Sequence, residues 1–311
     1  MKRAGASIWS RLFGAQTPAH APAVAEPAAA GLARYRIERR IGQGAMSQVF
    51  LALDERSGRR VALKLLELGR APPTAEWHDA LERFRREATL LHELHHPGIV
   101  AVLDAGPSER GAWMAMELVA GCDLTRYTRP ARLLPPQAVV RLGARVAEAL
   151  AYAHRRGVVH RDVKPANVLV DWHTDAIKLT DFGLARTDEH TQTRSGIALG
   201  SPEYMAPEQL AGGTVGPAAD LYGLGATLYE LLSGQRPHVA DNLGALLRAV
   251  AAEPATALRE LKPELDGALC DAVMPLLGKD PARRPQDAAR VAAQLWSLAR
   301  SGAERAPRGT P

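Results

Sequence analysis

The apolar and polar positions follow two different periods along the chain. Between residues 35 and 68, apolar residues alternate with polar ones and glycine interrupts them, which predicts an antiparallel meander. From about Ala75 to His95, apolar residues recur every three or four positions, which predicts a helix that ends before Pro97. The predicted strands of the meander are 35–42, 48–56 and 59–68.

The remainder of the chain is mainly helical by the same criteria. Two short strands are predicted at 99–106 and 112–118, and beyond Leu133 the apolar residues follow the helical period. A strand-rich front and a helix-rich back imply an α+β fold of two lobes, with a crevice between them of the kind that ligands favour. The predicted helices of the second lobe are 136–156, 218–233, 241–252, 265–277 and 286–300.

Composition narrows the class of protein. The chain has 311 residues, of which 46% are hydrophobic and 23% charged, so a compact globular fold is expected. No apolar run reaches the roughly 18 residues of a membrane-spanning helix, and the basic beginning of the chain lacks the apolar stretch of a secretory signal. Cys122 and Cys270 are far apart and outside any CxxC pairing. These features predict a cytoplasmic protein without a disulfide framework.

The positive net charge resides in the first 40 residues. They carry seven Lys or Arg against two acids, whereas the other 271 residues carry 32 of each, which disfavours a nucleic-acid partner. Residues 14–33 are mostly Ala, Pro and small polar types, which predicts a linker or disordered tail. Ahead of them, Ile8, Trp9, Leu12 and Phe13 can gather on one side of a short helix. A frayed tail and a helix that docks on a partner or membrane both remain open.

The sharpest chemical signal lies in the segment 160–183. Here the chain places Asp162, Lys164, Asn167 and Asp181 between two short apolar strands. Such a set of polar groups is costly to align unless a ligand satisfies it. Carboxylates and a carboxamide are hard oxygen ligands of the type that hold Mg²⁺ against phosphate groups. The segment therefore points to nucleotide chemistry.

Two upstream features fit a phosphate-bearing ligand. Gly42 and Gly44 supply a turn between two strands, where the backbone can approach a phosphate without a Cβ in the way. Such a hairpin is weak evidence by itself. Lys64 lies in the middle of the apolar strand VALK, where an unpaired ammonium would be costly, so it must have partners.

Together these motifs resemble the signature set of eukaryotic-type (Hanks-type) serine/threonine protein kinases, in a form typical of bacteria. The glycine turn, VALK, HRDVKPAN, DFG and APE occur in the family's order, and the resemblance covers roughly residues 35–298. It implies a bilobal kinase fold that transfers the γ-phosphate of ATP to Ser or Thr hydroxyls of protein substrates. ATP and Mg²⁺ are the implied cofactors, with Mn²⁺ as a possible replacement.

The resemblance also assigns roles to individual residues. It implies that Asp162 accepts the substrate hydroxyl proton beside Lys164, and that Asn167 and Asp181 bind Mg²⁺. Lys64 is implied to grip the α- and β-phosphates. The other positions implied to surround ATP are Gly42, Gly44, Val49, Ala62, Glu87 as the ion-pair partner of Lys64, Glu117 and Val119 in the hinge, Asp123 at the ribose, and Leu169.

The same resemblance implies which residues hold the helical lobe together and where the domains begin and end. Glu208 and Arg284 resemble the buried pair that braces the helical lobe, and Asp220 resembles the aspartate that ties a helix to the catalytic loop. His160 is expected to be a core histidine that holds this loop. The predicted domains are a disordered tail over 1–33, a first lobe over 34–117, a hinge over 117–123, a second lobe over 124–300 and a flexible tail over 301–311.

The hydroxyl-rich segment between Gly183 and Ala206 resembles an activation loop. Arg161 is the cation that pairs with a phosphorylated loop residue in related enzymes, so autophosphorylation is predicted. Ser47 replaces the third glycine of the nucleotide loop, which puts the loop's flexibility and its affinity for nucleotide in doubt. The candidate phosphorylation sites are Thr191, Thr193 and Ser195.

Two competing interpretations remain, a pseudokinase and a kinase-fold phosphotransferase for small molecules, although the APE segment and the long activation loop favour a protein substrate. A pseudokinase or nucleotide-binding scaffold would keep the fold without transferring phosphate, although the charged groups needed for transfer are all present. Residues 92–96 read HELHH, which formally matches a zinc-peptidase motif, but Pro97 ends the helix and no third ligand follows in a recognisable pattern. The substrate, the signal and the oligomeric state are not indicated, and signals are expected to arrive through partners or the N-terminal tail.

Overall fold

A computed structural model describes residues 32–44, 47–67, 75–108, 111–182 and 201–305 of the chain. The chain divides into two units, one made of residues 1–120 and 171–176, the other of residues 121–170 and 177–311. The predicted tail over 1–33 therefore lies almost wholly outside the described residues, and so does most of the predicted activation loop.

The first unit contains a five-stranded antiparallel sheet with the strand order β1-β2-β3-β5-β4. Its three-strand meander is held by a turn at Gly58, which takes the left-handed conformation that glycine tolerates (φ 67°). One helix, α1, follows the meander and packs against β4 and β5. The bounds are β1 Tyr35–Gln43, β2 Ser47–Asp54, β3 Arg59–Glu67, α1 Ala75–His92, β4 Val102–Ser108 and β5 Gly111–Glu117.

One face of this sheet buries an apolar cluster that includes Val61, Leu63 and Trp113. Because side chains alternate along a strand, Ala62 and Lys64 lie on the opposite face of β3. Leu32, three residues before the start of β1, adds to the cluster and is 93% buried. Lys64 therefore lies on the face opposite to this cluster, where its register neighbour Met114 is buried as well.

A partly buried ion-pair network fixes the start of β1. Arg34 donates two hydrogen bonds of 2.6 Å to the carboxylate of Asp54, and a third, of 2.8 Å, to Asp104 on β4. Hydrogen bonding to Arg34 holds the pKa of Asp54 well below its usual range. Burial, together with the charge of Asp104, raises the pKa of Tyr35 to about 12. The first described residues are thus tied to both β2 and β4.

The second unit is built around α4, whose side chains are nearly all buried. Tyr222 and Tyr229 are among its largest fully buried side chains, and α2 packs against both α4 and α8. A small sheet with the order β6-β7-β8 completes the unit. The bounds are β6 Cys122–Asp123, α2 Pro136–His154, β7 Val168–Asp171, β8 Ala176–Leu179, α3 Pro207–Leu210, α4 Pro217–Ser233, α5 Leu243–Ala252, α6 Leu258–Leu261, α7 Gly267–Val273 and α8 Ala288–Arg305.

Some element limits differ from those predicted. Helix α1 ends at His92 rather than His95, because the chain tightens into a turn in which the Leu94 amide donates to the Leu91 carbonyl. The predicted helix over 265–277 is α7 followed by a 3₁₀ turn, since Pro275 cannot continue the α-helical bonding. Helix α8 runs on to Arg305, five residues into the predicted flexible tail.

The predicted brace of the helical unit is present. Arg284 is fully buried and forms a bidentate pair with Glu208, at 2.7 and 2.6 Å. The same guanidinium donates to the carbonyls of Gly278, Ala218 and Lys279, so its remaining N–H groups also have acceptors. A buried charge of this kind is tolerable only when it is paired and hydrogen-bonded throughout.

Replacement of Arg284 by methionine should lower the free energy of unfolding by about 3–5 kcal/mol, because it leaves the Glu208 carboxylate buried without its partner. The neighbouring Arg283→Met is the matched control, since that side chain is 87% exposed and should change stability by about 0.5 kcal/mol or less. Urea unfolding followed by circular dichroism measures both. Equal stabilities of the two variants would show that the brace contributes little.

Candidate active site

The loop between α2 and β7 is held by one buried carboxylate. Asp220, on α4, accepts the backbone amides of His160 at 2.8 Å and Arg161 at 2.6 Å. It also bonds the Nε2 atom of His154 at 2.7 Å. Because Asp220 is only 1% exposed, these hydrogen bonds, rather than water, stabilise its charge. The predicted tie between helix and loop is thereby confirmed.

Arg161 occupies a strained backbone conformation. Its φ is 66°, in the left-handed region that costs a non-glycine residue about 1–3 kcal/mol unless its surroundings impose it. Here the amide is fixed by Asp220, and the carbonyl accepts a 2.9 Å hydrogen bond from the Gln209 side chain. Gln209 also accepts the amide of Ala206. No sequence pattern singled out Gln209 or His154, because nothing in their spacing shows that they reach this loop.

His160 is held as a neutral imidazole. Its Nε2 atom lies 2.9 Å from the carbonyl of Thr180, to which only an N–H can donate, and its Nδ1 atom accepts the amide of Asp162 at 3.2 Å. Burial lowers the pKa of His160 below its ordinary value, against the opposing effect of nearby carboxylates. The ring also packs on Phe182, with the centroids 4.4 Å apart. His160 thus links Asp162 to the segment before Asp181, which agrees with its expected role in the core.

Three of the predicted site residues form a compact cluster. The Asp162 carboxylate accepts Lys164 Nζ at 2.7 Å and Asn167 Nδ2 at 3.0 Å on the same oxygen, Oδ2. Asn167 Nδ2 also donates to the Asp162 carbonyl at 2.7 Å, and Asn167 is buried. The carboxylate is therefore oriented by two donors before any ligand is considered.

The positions of the polar groups along the chain differ from the prediction. The two short strands β7 and β8 lie between Asn167 and Asp181, whereas the sequence suggested that all four groups lie between two strands. The reason is that β7 and β8 pair as a hairpin, which brings its two ends together. A backbone hydrogen bond of 2.9 Å from Thr180 to Asn167 joins these ends. Asp181 follows directly, with a left-handed φ of 57°.

Asn167 and Asp181 suit a hard divalent cation. The amide nitrogen of Asn167 is committed to Asp162, so its carbonyl oxygen is the atom that can face a metal. Asp181 adds a carboxylate from the other end of the hairpin. Two protein oxygens are a small set, and Mg²⁺ is commonly held by one or two carboxylates together with waters and substrate phosphates. The donor chemistry therefore fits Mg²⁺.

In the first unit, the strand register brings three predicted residues to one sheet face. Val49 on β2 lies directly opposite Lys64 on β3, and Ala62 is two residues away on the same strand. Lys64 is also opposite Met114 on β5. Glu87 lies half-buried on α1, and its pairing with Lys64 stays a prediction.

The glycine turn is only partly described, since residues 45 and 46 lie outside the described residues. The amide of Gly44 donates to the carbonyl of Ser47 at 2.7 Å. A Cβ on Gly44 would come within 3.1 Å of the Ser47 hydroxyl, whereas one on Gly42 would make an ordinary contact with Val49. Ser47 begins β2, and its hydroxyl would have to shift by a few tenths of an ångström to admit a Cβ at position 44.

The remaining predicted nucleotide contacts lie at strand ends. Glu117 ends β5, and its carboxylate accepts the amide of Ala101 at 2.9 Å. Val119 is half-buried shortly after it. The Asp123 carboxylate accepts the amide and the hydroxyl of Thr125, which caps a 3₁₀ turn, and Asp123 pairs with Leu169 across β6 and β7. The structure thus uses Asp123 locally, and its role at a ribose stays a prediction.

Two other sequence features have clear outcomes. Thr191, Thr193 and Ser195 lie outside the described residues, so their phosphorylation stays a prediction. In the HELHH segment, α1 ends at His92, which therefore shares no helical face with His96. His92 Nδ1 bonds the Val102 carbonyl, and His96 Nδ1 accepts the Gly98 amide. These nitrogens therefore bind backbone groups of the turn that follows α1 and of β4.

A family model described as "Protein kinase domain" matches residues 35–297. The chain belongs to the protein kinase family. Its relatives include the DNA damage-responsive serine/threonine-protein kinase RqkA of Deinococcus radiodurans, 39% identical over 86% of this chain. PknB of Mycobacterium leprae is 36% identical over 84%, and PknA of Mycobacterium tuberculosis is 38% identical over 81%. The predicted resemblance to bacterial Hanks-type serine/threonine kinases is confirmed.

These curated relatives are longer proteins, because the chain covers 40%, 42% and 58% of their respective lengths. Among solved structures, a double mutant of the PknI kinase domain of Mycobacterium tuberculosis has a TM-score of 0.69 and 31% sequence identity. The match covers 89% of this chain and 100% of that one. The predicted kinase fold, a sheet-based first lobe and a helical second lobe, is confirmed. Within the described residues, no kinase helix is long and apolar enough to cross a membrane.

The neutral state of His160 predicts a loss of stability in acid. The unfolded imidazole titrates near pH 6.5. The pKa of His160 is lower in the folded protein, so the unfolded state binds a proton first as the pH falls. The stability that the neutral imidazole contributes is therefore lost progressively below about pH 6.5. His238 acts in the same direction, since burial and Lys279 lower its pKa to about 4. The free energy of unfolding should therefore fall between pH 7 and pH 5.

His160→Gln should reduce this pH dependence and lower stability at pH 7 by about 1–3 kcal/mol through the lost buried hydrogen bonds. The same change at exposed His173 is the control and should leave the pH dependence as in the parent protein. Urea unfolding at pH 5, 6 and 7 provides the measurement. A His160 variant with an unaltered pH profile would contradict the assignment.

Proposed function

We propose that this chain is a serine/threonine protein kinase that transfers the γ-phosphate of ATP to hydroxyl groups of protein substrates. The observation that carries the proposal is the Asp162 carboxylate, oriented by Lys164 and Asn167 in a loop that Asp220 fixes. The relatives, which are named as serine/threonine-protein kinases, support the same class of substrate.

In the proposed reaction, the substrate hydroxyl oxygen attacks the γ-phosphorus while the bond from that phosphorus to the β,γ-bridging oxygen breaks. The hydroxyl proton passes to Asp162, and ADP leaves with the electron pair of the broken bond. Asp162 can accept this proton because Asn167 and Lys164 hold its carboxylate in a fixed orientation. Lys164 would also offset charge on the transferred phosphoryl group.

Asn167 and Asp181 would hold Mg²⁺, with Mn²⁺ as an alternative, and the cation supplies neutralisation of phosphate charge when bound. Lys64, paired with Glu87, would bind the α- and β-phosphates. The turn at Gly42 and Gly44 would cover the phosphates with backbone groups. The remaining residues proposed around the adenosine are Val49, Ala62, Glu117, Val119, Asp123 and Leu169.

Three further properties belong to the proposal. Autophosphorylation at one or more of Thr191, Thr193 and Ser195 would bring a phosphate to Arg161, a charge-assisted contact of the kind that orders activation loops. Location in the cytoplasm follows from the composition. Protein substrates, and an upstream or docking partner that acts through the N-terminal tail, are the proposed interactions.

Asp162→Asn should reduce phosphate transfer at least 100-fold, because the amide cannot accept the hydroxyl proton. The readouts are radiolabelled ATP with a cell lysate, and intact mass after incubation with Mg²⁺ and ATP. The parent chain should gain mass in steps of one phosphate, and the variant should not.

Asp287→Asn is the matched control for this variant. Its carboxylate caps the start of α8 through the Ala289 amide, a role that asparagine also performs. This control should keep the parent activity. Transfer by the Asp162 variant at a rate near that of the parent would refute the mechanism. If the parent chain and the Asp287→Asn control both bind ATP but transfer no phosphate, the protein is instead a nucleotide-binding scaffold.

A further inference from the structure

The first unit contains a groove that none of the proposed catalytic residues line. One wall is a single face of α1, formed by Phe84, Ala88, Thr89 and their neighbours, and the other wall is the β4 segment 102–106. Its volume is about 260 Å³. A cavity of about 150 Å³ accepts a benzene ring, so this groove has room for one or two large side chains.

The groove has an apolar floor and a fixed end. Phe84, Ala88 and Val102 are buried beneath it, whereas Leu103 is 46% exposed at its rim. The hydrogen bond of 2.9 Å between His92 and the Val102 carbonyl joins the two walls at one end. An exposed leucine beside a depression with an apolar floor is the arrangement expected of a surface that receives another apolar segment, and Arg85, Thr89 and Asp104 add polar groups to the lining.

The described chain begins beside this groove. Arg34 donates a 2.8 Å hydrogen bond to Asp104, which lines the groove, and Leu32 is buried nearby against Trp113. Trp113 in turn lies under Gly106, another lining residue, since a Cβ on that glycine would come within 2.9 Å of the indole ring. Arg34, two residues after the first described residue, is therefore in direct contact with the β4 wall.

The sequence supplies an apolar segment at a suitable distance. Ile8, Trp9, Leu12 and Phe13 have the i, i+1, i+4, i+5 spacing of one helix face, and 18 residues separate Phe13 from Leu32. A flexible linker of that length has a root-mean-square span of about 25 Å. The groove wall from Phe84 to His92 is about 12 Å long at the helical rise of 1.5 Å per residue. The segment can therefore reach the groove.

We propose that residues 8–13 of the same chain bind in the α1–β4 groove, with Trp9 and Phe13 as the main anchors. Attachment through a short linker gives an effective concentration in the millimolar range, so even weak contacts would keep the groove occupied. Because α1 also carries Glu87, the bound segment would stabilise this helix by packing over the face that lines the groove. This binding does not depend on phosphate transfer.

The test is hydrogen exchange of the full chain without nucleotide. Trp9→Ala/Phe13→Ala should speed exchange of the amides of 84–92 and 102–106 at least fivefold, with 36–40 of β1 unchanged. The matched control is Ser7→Ala/Ser10→Ala, which alters the same segment off the apolar face and should have no effect. Unchanged exchange in the first variant, or equal changes in both, would overturn the proposal.

The groove side is tested by a pair of exposed leucines. Leu103→Asp adds a charge at the rim and should speed amide exchange as Trp9→Ala/Phe13→Ala does, and the two changes combined should give no further increase. Leu90→Asp, on α1 but outside the groove, should leave exchange unchanged. If protection of the groove amides from exchange rises with protein concentration, and light scattering gives the mass of a dimer, the segment binds a second copy of the chain. That result would overturn binding within one chain. Since Asp162→Asn protein should give the same exchange results, failure here is distinct from failure of the proposed activity.

Discussion

The site depends on one buried carboxylate. Asp220 lies in the interior of the helical unit, and its oxygens accept the amides of two consecutive loop residues, His160 and Arg161. A buried carboxylate must be satisfied by donors, and these amides have to come to it because α4 cannot move within its packed surroundings. These hydrogen bonds offset the energetic cost of the left-handed conformation at Arg161, and they hold the loop in one conformation.

The rest of the cluster follows from that conformation. Once the loop turns at Arg161, His160 points inward and bridges to Thr180, and Asp162 points toward Lys164 and Asn167. Each polar group is positioned by another group of the same unit, so little reorganisation is needed when charge develops in a reaction. The left-handed backbone conformations of Arg161 and Asp181 fall next to Asp162 and at Asp181 itself, so this strain lies within the candidate site.

Much of this arrangement could be predicted from the sequence, because short motifs carry their own geometry. The meander, the helix α1, the brace between Glu208 and Arg284 and the tie from Asp220 were all foreseeable from spacing or family resemblance. The contributions of His154 and Gln209 were not, because no motif in the sequence marks either residue and their contacts with Asp220 and Arg161 exist only in the folded chain. The order of Asn167, β7, β8 and Asp181 was misjudged because a four-residue strand leaves almost no periodicity to detect. The groove between α1 and β4 could not be foreseen either, since a depression exists only once two elements are packed.

The most direct test of this account is the rate of phosphate transfer by Asp220→Asn. Asparagine keeps the shape but offers one acceptor oxygen in place of two, so the loss of a charge-assisted hydrogen bond should lower kcat about 10- to 100-fold. The affinity for ATP should stay within about threefold, because Asp220 is buried beneath the loop and holds it through backbone amides. Asp271→Asn, at an exposed carboxylate of α7, is the control. A kcat equal to that of the parent would show that the loop holds its conformation without Asp220 and would contradict the account.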